Sequence, residues 1–253
     1  MALPANGDFP QNGSLAGRWK LDEASGTRAD SVGSLTLTDN NTVGSTTGIN
    51  EANASSALAA NFVIANSEYF SRADEAAVSL TGDMSAFAWV KANQSPSDEA
   101  FAIISKYDDA DRSWYFDYSE DGGGSRLYFH IRDSDGDSSN EFVTADLGTT
   151  EYKHVGFTMD IDTPNVKFWI NGVQQGATQA INGDVDNARD SAGDFRIGAM
   201  DNAGIANCWD GQIQDVLWWN VTLTDAEVLT LYQVYTVPPS GVPSGLALLG
   251  VGN

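Results

Sequence analysis

Cationic side chains are scarce in this chain: 13 Lys and Arg stand against 35 Asp and Glu, a net charge of −22. So acidic a surface repels phosphate backbones and anionic headgroups, which argues against nucleic acid or membrane partners. It suits high ionic strength, where self-repulsion is screened, or divalent cations that bridge carboxylates. Most of the acid is Asp set beside Gly, Ser and Asn, and its plain reading is a solvated shell. Cysteine is nearly absent. Cys208 stands alone, so neither an intrachain disulfide nor a cysteine-based zinc site can form. Histidine is limited to His130 and His154. No apolar run approaches transmembrane length, and the stretch at 245–251 is far too short. The opening MALPANGDFPQNGS lacks both a basic region and an apolar stretch, so no secretory signal is expected.

What is present is strand. In 126–132, Leu127, Phe129 and Ile131 alternate with Tyr128, His130 and Arg132. In 113–118, Trp114, Phe116 and Tyr118 alternate with Tyr115 and Asp117. Val155, Phe157 and Met159 share a face, as do Val166, Phe168 and Ile170, and period two is the mark of a half-buried strand. Asn171-Gly172 follows the latter run and predicts a hairpin, because both turn positions need positive φ. MSAFAWVK at 84–91 is apolar on both faces, as a central strand requires. The segment 211–233 closes the pattern with an apolar strand, a turn and a short helix. Thr224, three residues before Glu227, gives that helix a capping box, and Val228, Leu229, Leu231 and Tyr232 supply a sticky face. Many antiparallel strands and one helix predict two sheets packed face to face. The domain is expected over 15–233, between an N-terminal arm at 1–14 and a Pro/Gly-rich tail at 234–253.

The order of these segments resembles the laminin-G-like branch of the concanavalin A-like lectin/glucanase superfamily. GRWKLDEASGTRADSVG (17–33) looks like the family's opening strand and Asp-Ser-x-Gly turn. MSAFAWVK, EYKHVGFTMD (151–160), VKFWINGVQQG (166–176), FRIGAM (195–200) and the closing segment follow in the family's order. The resemblance implies an all-β, antiparallel two-sheet jelly-roll sandwich with one short C-terminal helix.

Glycanases in that superfamily carry a Glu-x-Asp-x-(x)-Glu cluster whose carboxylates alternate onto one strand face. Here Glu23, Glu51, Glu68, Glu99, Glu141 and Glu151 all lack an Asp two residues on. Asp117 is a lone acid in an aromatic strand, which does not make a catalytic pair, so the module is expected to be non-catalytic. His154 falls at the family's "HV" position, where histidine is packed or hydrogen-bonded. A ligand face is expected instead from Tyr115, Asp117, Tyr128, His130 and Arg132, joined by Trp169, since aromatic plates with a polar rim suit sugars. The Asp-rich loops at 108–111 and 133–137 read as turns. An EF-hand begun at Asp133 would place Ser138 and Thr144 where Gly and Glu are required. In many relatives an Asp at the start of the closing strand holds structural calcium. Gln214 stands at that position, so a Ca²⁺ site would have to combine Gln214 with Asp22 or Asp30.

Two roles follow. One is a virion-surface protein, a phage capsid decoration or fibre-associated module, partnered by other subunits and possessing arms that order on docking. The alternative is a carbohydrate-binding or adhesive lectin-like module of an extracellular protein. A homo-oligomer is compatible with both.

Overall fold

The structure, a computed structural model, describes residues 2–97, 99–120 and 122–238. In chain order the strands are β1 (Leu15–Trp19), β2 (Thr38–Asn40), β3 (Gly44–Thr46), β4 (Ala59–Phe62), β5 (Tyr69–Arg72) and β6 (Met84–Ala92). There follow β7 (Ala100–Asp108), β8 (Asp111–Glu120), β9 (Ser125–Arg132), β10 (Ser138–Thr144), β11 (Lys153–Asp160) and β12 (Asn165–Ile170). The set ends with β13 (Val173–Ala180), β14 (Phe195–Ile197), β15 (Met200–Asp201), β16 (Ile205–Ala206), β17 (Gly211–Trp219) and the helix α1 (Asp225–Thr236).

Two antiparallel sheets carry the fold. The first runs β13-β12-β11-β6-β17-β4-β3, with β1 also paired to β17. The second runs β10-β9-β8-β7-β14-β5-β2. This is the two-sheet sandwich expected from the strand pattern, and the jelly roll that the family resemblance implies. The alternating residues do what period two requires: Leu127, Phe129, Ile131, Trp114, Phe116, Tyr118, Val155, Phe157, Met159, Val166 and Phe168 all enter one core between the sheets. The Asn171-Gly172 turn takes φ of 52° and 74°, and joins β12 to β13 in a hairpin.

The strand β6 lies between β11 and β17 and is buried on both faces. Met84, Ala86, Ala88 and Val90 face the main core. Phe87 and Trp89 face a second core, roofed by α1 and by the N-terminal segment. Both halves of the capping box of α1 form: the Glu227 amide donates to Thr224 Oγ1 at 3.3 Å, and the Thr224 amide to Glu227 Oε2 at 2.8 Å. The buried face of the helix is Val228, Leu231 and Tyr235. Leu229, expected on that face, is exposed, because a helix 3.6 residues per turn brings 228, 231 and 235 into line and turns 229 away. The helix also runs through Thr236, so the first residues of the expected tail belong to the domain; 239–253 lie outside the described residues.

The N-terminal arm is packed onto the domain. Phe9 is buried against Trp219 and Tyr235, and Pro10 O accepts from Trp219 Nε1 at 3.1 Å. Beneath it a bulge in β17 turns Asp215 to φ 49°, and its buried carboxylate holds Arg18 through two bonds of 2.6 and 2.8 Å. Arg18 also donates to Pro4 O and Asn6 Oδ1, and Tyr235 donates to Asp215. One buried ion pair therefore ties the arm, the opening strand, the closing strand and the helix together.

Candidate functional site

The strands β8 and β9 put their inward residues into the core, so their outward residues share the opposite surface of the second sheet. Register places Tyr115 opposite His130, Asp117 opposite Tyr128, and Ser119 opposite Arg126. The ring of Tyr115 stacks on His130 (centroids 5.0 Å apart) and on Tyr128 (5.7 Å), a continuous aromatic row across two strands. Tyr107 on β7 closes the row edge-on against Tyr115. Asn140 on β10 fixes the other flank: its Oδ1 accepts from Tyr128 Oη at 2.6 Å and lies 2.7 Å from His130 Nδ1.

A cleft of about 560 Å³ opens along this row. Tyr115, Asp117, Ser119 and Glu120 of β8 and Arg126 and Tyr128 of β9 form its floor and one wall. Glu99 and Ala100 at the start of β7, with Ile64, Ser67, Asn207 and Cys208 from loops, form the rest. Arg126 is held in place, its guanidinium lying 5.0 Å from the ring centroid of Tyr128 and 4.9 Å from that of Phe142, with Nε 3.3 Å from Ser119 Oγ. Asp117 is buried, and its Oδ1 has no hydrogen-bond partner among the described residues. Burial drives its pKa up to about 7, against the smaller downward pull of Ser119 and Arg126. The carboxyl in the cleft thus titrates near neutrality, with one oxygen turned to no donor among the described residues.

The face expected from the sequence is assembled in part. Tyr115, Asp117 and Tyr128 line the cleft. His130 sits one step further along the row, buried and bonded to Asn140, and burial lowers its pKa. Arg132 ends β9 beyond it, outside the cleft, with its guanidinium over the Gly136 turn. Trp169 is not in this face. It lies on β12 of the other sheet, in the second core, with Nε1 donating to Thr158 Oγ1 at 3.1 Å. Alternation along β12 correctly separates Trp169 from Val166 and Phe168, but periodicity says nothing about which sheet a strand joins. Ser119 and Arg126 were legible, since they continue the alternation of Asp117 and Tyr128. The loop residues were not, because they reach the cleft through tertiary packing alone.

Two of the three residues expected for calcium, Gln214 and Asp30, hold other partners. Gln214 is buried, accepting from Ile49 N at 2.8 Å and donating to Leu58 O at 2.6 Å. Asp30 caps its turn by accepting the amides of Arg18, Val32, Gly33 and Leu35. Asp22 is exposed on the following loop. Among the described residues no three His, Cys, Asp or Glu side chains gather closely enough to hold a metal ion. In the loop 133–137, Asp133 accepts the amides of Asp135, Gly136 and Asp137, the arrangement of a side-chain-capped turn. His154 is packed, stacked on Phe87 at 5.3 Å and close to Trp89, Tyr232 and Tyr235. Its ring nitrogens have no hydrogen-bond partner among the described residues, and burial lowers its pKa to about 3.

A family model described as the concanavalin A-like lectin/glucanases superfamily matches residues 65–229, well over half of the chain. No curated protein matches the sequence. Similar folds occur in the binding domain of Paraclostridial mosquitocidal protein 1 (TM-score 0.67, 11% identity), covering 88% of this chain and 52% of that one. Domain 4 of AbnA, an extracellular arabinanase from Geobacillus stearothermophilus solved with arabinotriose, is similar at TM-score 0.60 and 18% identity, covering 87% and 98%. The binding domain of botulinum neurotoxin serotype G gives 0.60 and 17%, covering 87% and 51%. The chain thus spans about half the length of the two toxin binding domains. At these identities the likeness is one of fold. Among the described residues no helix is long and apolar enough to cross a membrane.

Proposed function

This chain belongs to the concanavalin A-like lectin/glucanase superfamily, and on that premise we propose that it is a non-catalytic, lectin-like module that binds glycans in the cleft on β8 and β9. One observation carries the reading. Two partly exposed tyrosine rings, stacked on one another, stand beside a buried carboxyl oxygen with no partner among the described residues, in a cleft of about 560 Å³. A sugar offers what such a place lacks: an apolar ring face to pack against the exposed edges of the tyrosines, and hydroxyl donors for the carboxyl. The volume lies within the range of small-ligand clefts. Structural relatives support the reading, since they are binding domains of toxins and a domain solved with arabinotriose.

A role on a virion surface drew in part on irregular arms at both ends of the domain. The N-terminal arm is held within its own domain by Phe9, Pro10 and the Arg18 contacts, and the structural relatives support the glycan reading over the virion one. The test is an array of neutral, amino and acidic oligosaccharides, followed by calorimetric titration of any hit against Tyr115→Ala and Tyr128→Ala. Affinity is expected to fall at least about tenfold in each variant, as loss of an aromatic contact surface implies, while circular dichroism stays unchanged. A blank array, or folded variants that bind as tightly as the parent, refutes the proposal.

A further inference from the structure

Resting on that reading, we infer that the cleft selects sugars bearing a protonated amine, a hexosamine without its N-acetyl group, and that Asp117 is the group that reads the amine. The lining holds three carboxyl groups, Glu99, Asp117 and Glu120, against one guanidinium. That guanidinium is already committed: Arg126 lies against the rings of Tyr128 and Phe142 with its Nε at Ser119 Oγ. An anionic sugar would enter an acidic cleft on a protein of net charge −22. A neutral sugar would bring hydroxyl donors but no charge. An ammonium brings both the donor that Asp117 Oδ1 lacks and the charge that the lining calls for, and a bond between ions is about twice as strong as one between neutral groups.

The surroundings of Asp117 fit this pairing. Beside it are Tyr115 and Ser119 from β8, and Arg126 and Tyr128 from β9, while Glu120 and Glu99 line the same cleft further along. Burial keeps its carboxyl protonated at mildly acidic pH. An ammonium arriving beside it favours the carboxylate, so binding at pH 6 should expel a proton to solvent. The exposed edges of the stacked Tyr115 and Tyr128 rings receive the apolar part of the sugar, their faces being taken by one another, by His130 and by Arg126.

The experiment titrates the full chain, by calorimetry at about 0.15 M salt where surface charge is screened, with a glucosamine tetrasaccharide, its fully N-acetylated twin and a galacturonate tetrasaccharide. Repeating it in buffers of different ionisation enthalpy counts protons. The amine form is expected to bind at least about tenfold more tightly than its acetylated twin, and to release close to one proton at pH 6. In Asp117→Asn the amine form should bind no more tightly than its acetylated twin, and the proton release should vanish. If the acetylated or anionic form binds as well as the amine in the parent, the inference falls while the glycan-binding reading stands. A preference that survives in Asp117→Asn also overturns it, because the acidic surface and not this carboxyl would then be responsible. If no tetrasaccharide and no arrayed glycan binds, both fall together.

Discussion

Replacing Asp117 by Asn should make the folded protein more stable at alkaline pH. The side chain is 2% exposed, and the fold raises its pKa from 3.8 to about 7. The unfolded chain releases this proton near pH 4 and the folded protein only near pH 7, so between those values the native state binds more protons. Stability must then fall as pH rises through that window. A difference of this size corresponds to about 4 kcal/mol at full ionisation in both states. Asparagine fills nearly the same volume and carries no charge, so it escapes the loss. At pH 8, Asp117→Asn is expected to exceed the parent by up to about 4 kcal/mol, with a melting temperature several degrees higher for a domain of this size. Near pH 4.5 the gap should shrink to about 1 kcal/mol, since both native proteins then present a neutral group and only the unfolded parent chain has begun to ionise. Thermal melts of both proteins from pH 4.5 to 8.5 give the comparison, and their difference cancels the titration of groups common to both. Parallel curves, or a variant less stable than the parent at pH 8, would refute the idea that burial without a partner governs this carboxyl.

Two further substitutions probe the second core. His154→Phe keeps the stack on Phe87 but removes a ring whose pKa burial lowers to about 3. In the parent the unfolded state takes up a proton below about pH 6.5 that the native state refuses, so its stability falls from there toward pH 3 by up to about 5 kcal/mol. Urea denaturation at pH 7 and pH 4 should show the variant losing less on acidification; an equal loss defeats the reading. Asp215→Ala leaves Arg18 buried without its carboxylate and should cost about 3–5 kcal/mol. Arg18→Met combined with Asp215→Leu should recover part of that, and a double variant worse than the single would show that the pair contributes net stability.

The acidic cleft is consistent with a common exchange between binding and stability. A buried carboxyl with one oxygen unpartnered among the described residues destabilises the unliganded fold at neutral pH, which is the reason for the Asp117→Asn forecast. The same unpaired oxygen is what a donor-bearing ligand would satisfy. Burial in the second core has the opposite pH sense: His154 weakens the fold in acid and Asp117 weakens it in base. Stability should therefore peak between the two.

Alternation, turn chemistry and capping determined much of this protein from sequence alone. Trp114, Phe116 and Tyr118 had to face away from Tyr115 and Asp117, because successive strand residues point to opposite faces. Asn171-Gly172 had to turn, and Thr224 with Glu227 had to start a helix, since each satisfies a local backbone demand that no distant contact changes. For the same reason the outward row Tyr115, Asp117, Tyr128 and His130 could be named in advance. Only tertiary structure decided which strands became neighbours, and so assigned Trp169 to the opposite sheet and Gln214 to the backbone of Ile49 and Leu58. It also brought Glu99, Ser67 and Asn207 to the cleft that Asp117 lines. Sheet order and loop approach depend on contacts between residues far apart in the chain, and no local period records them.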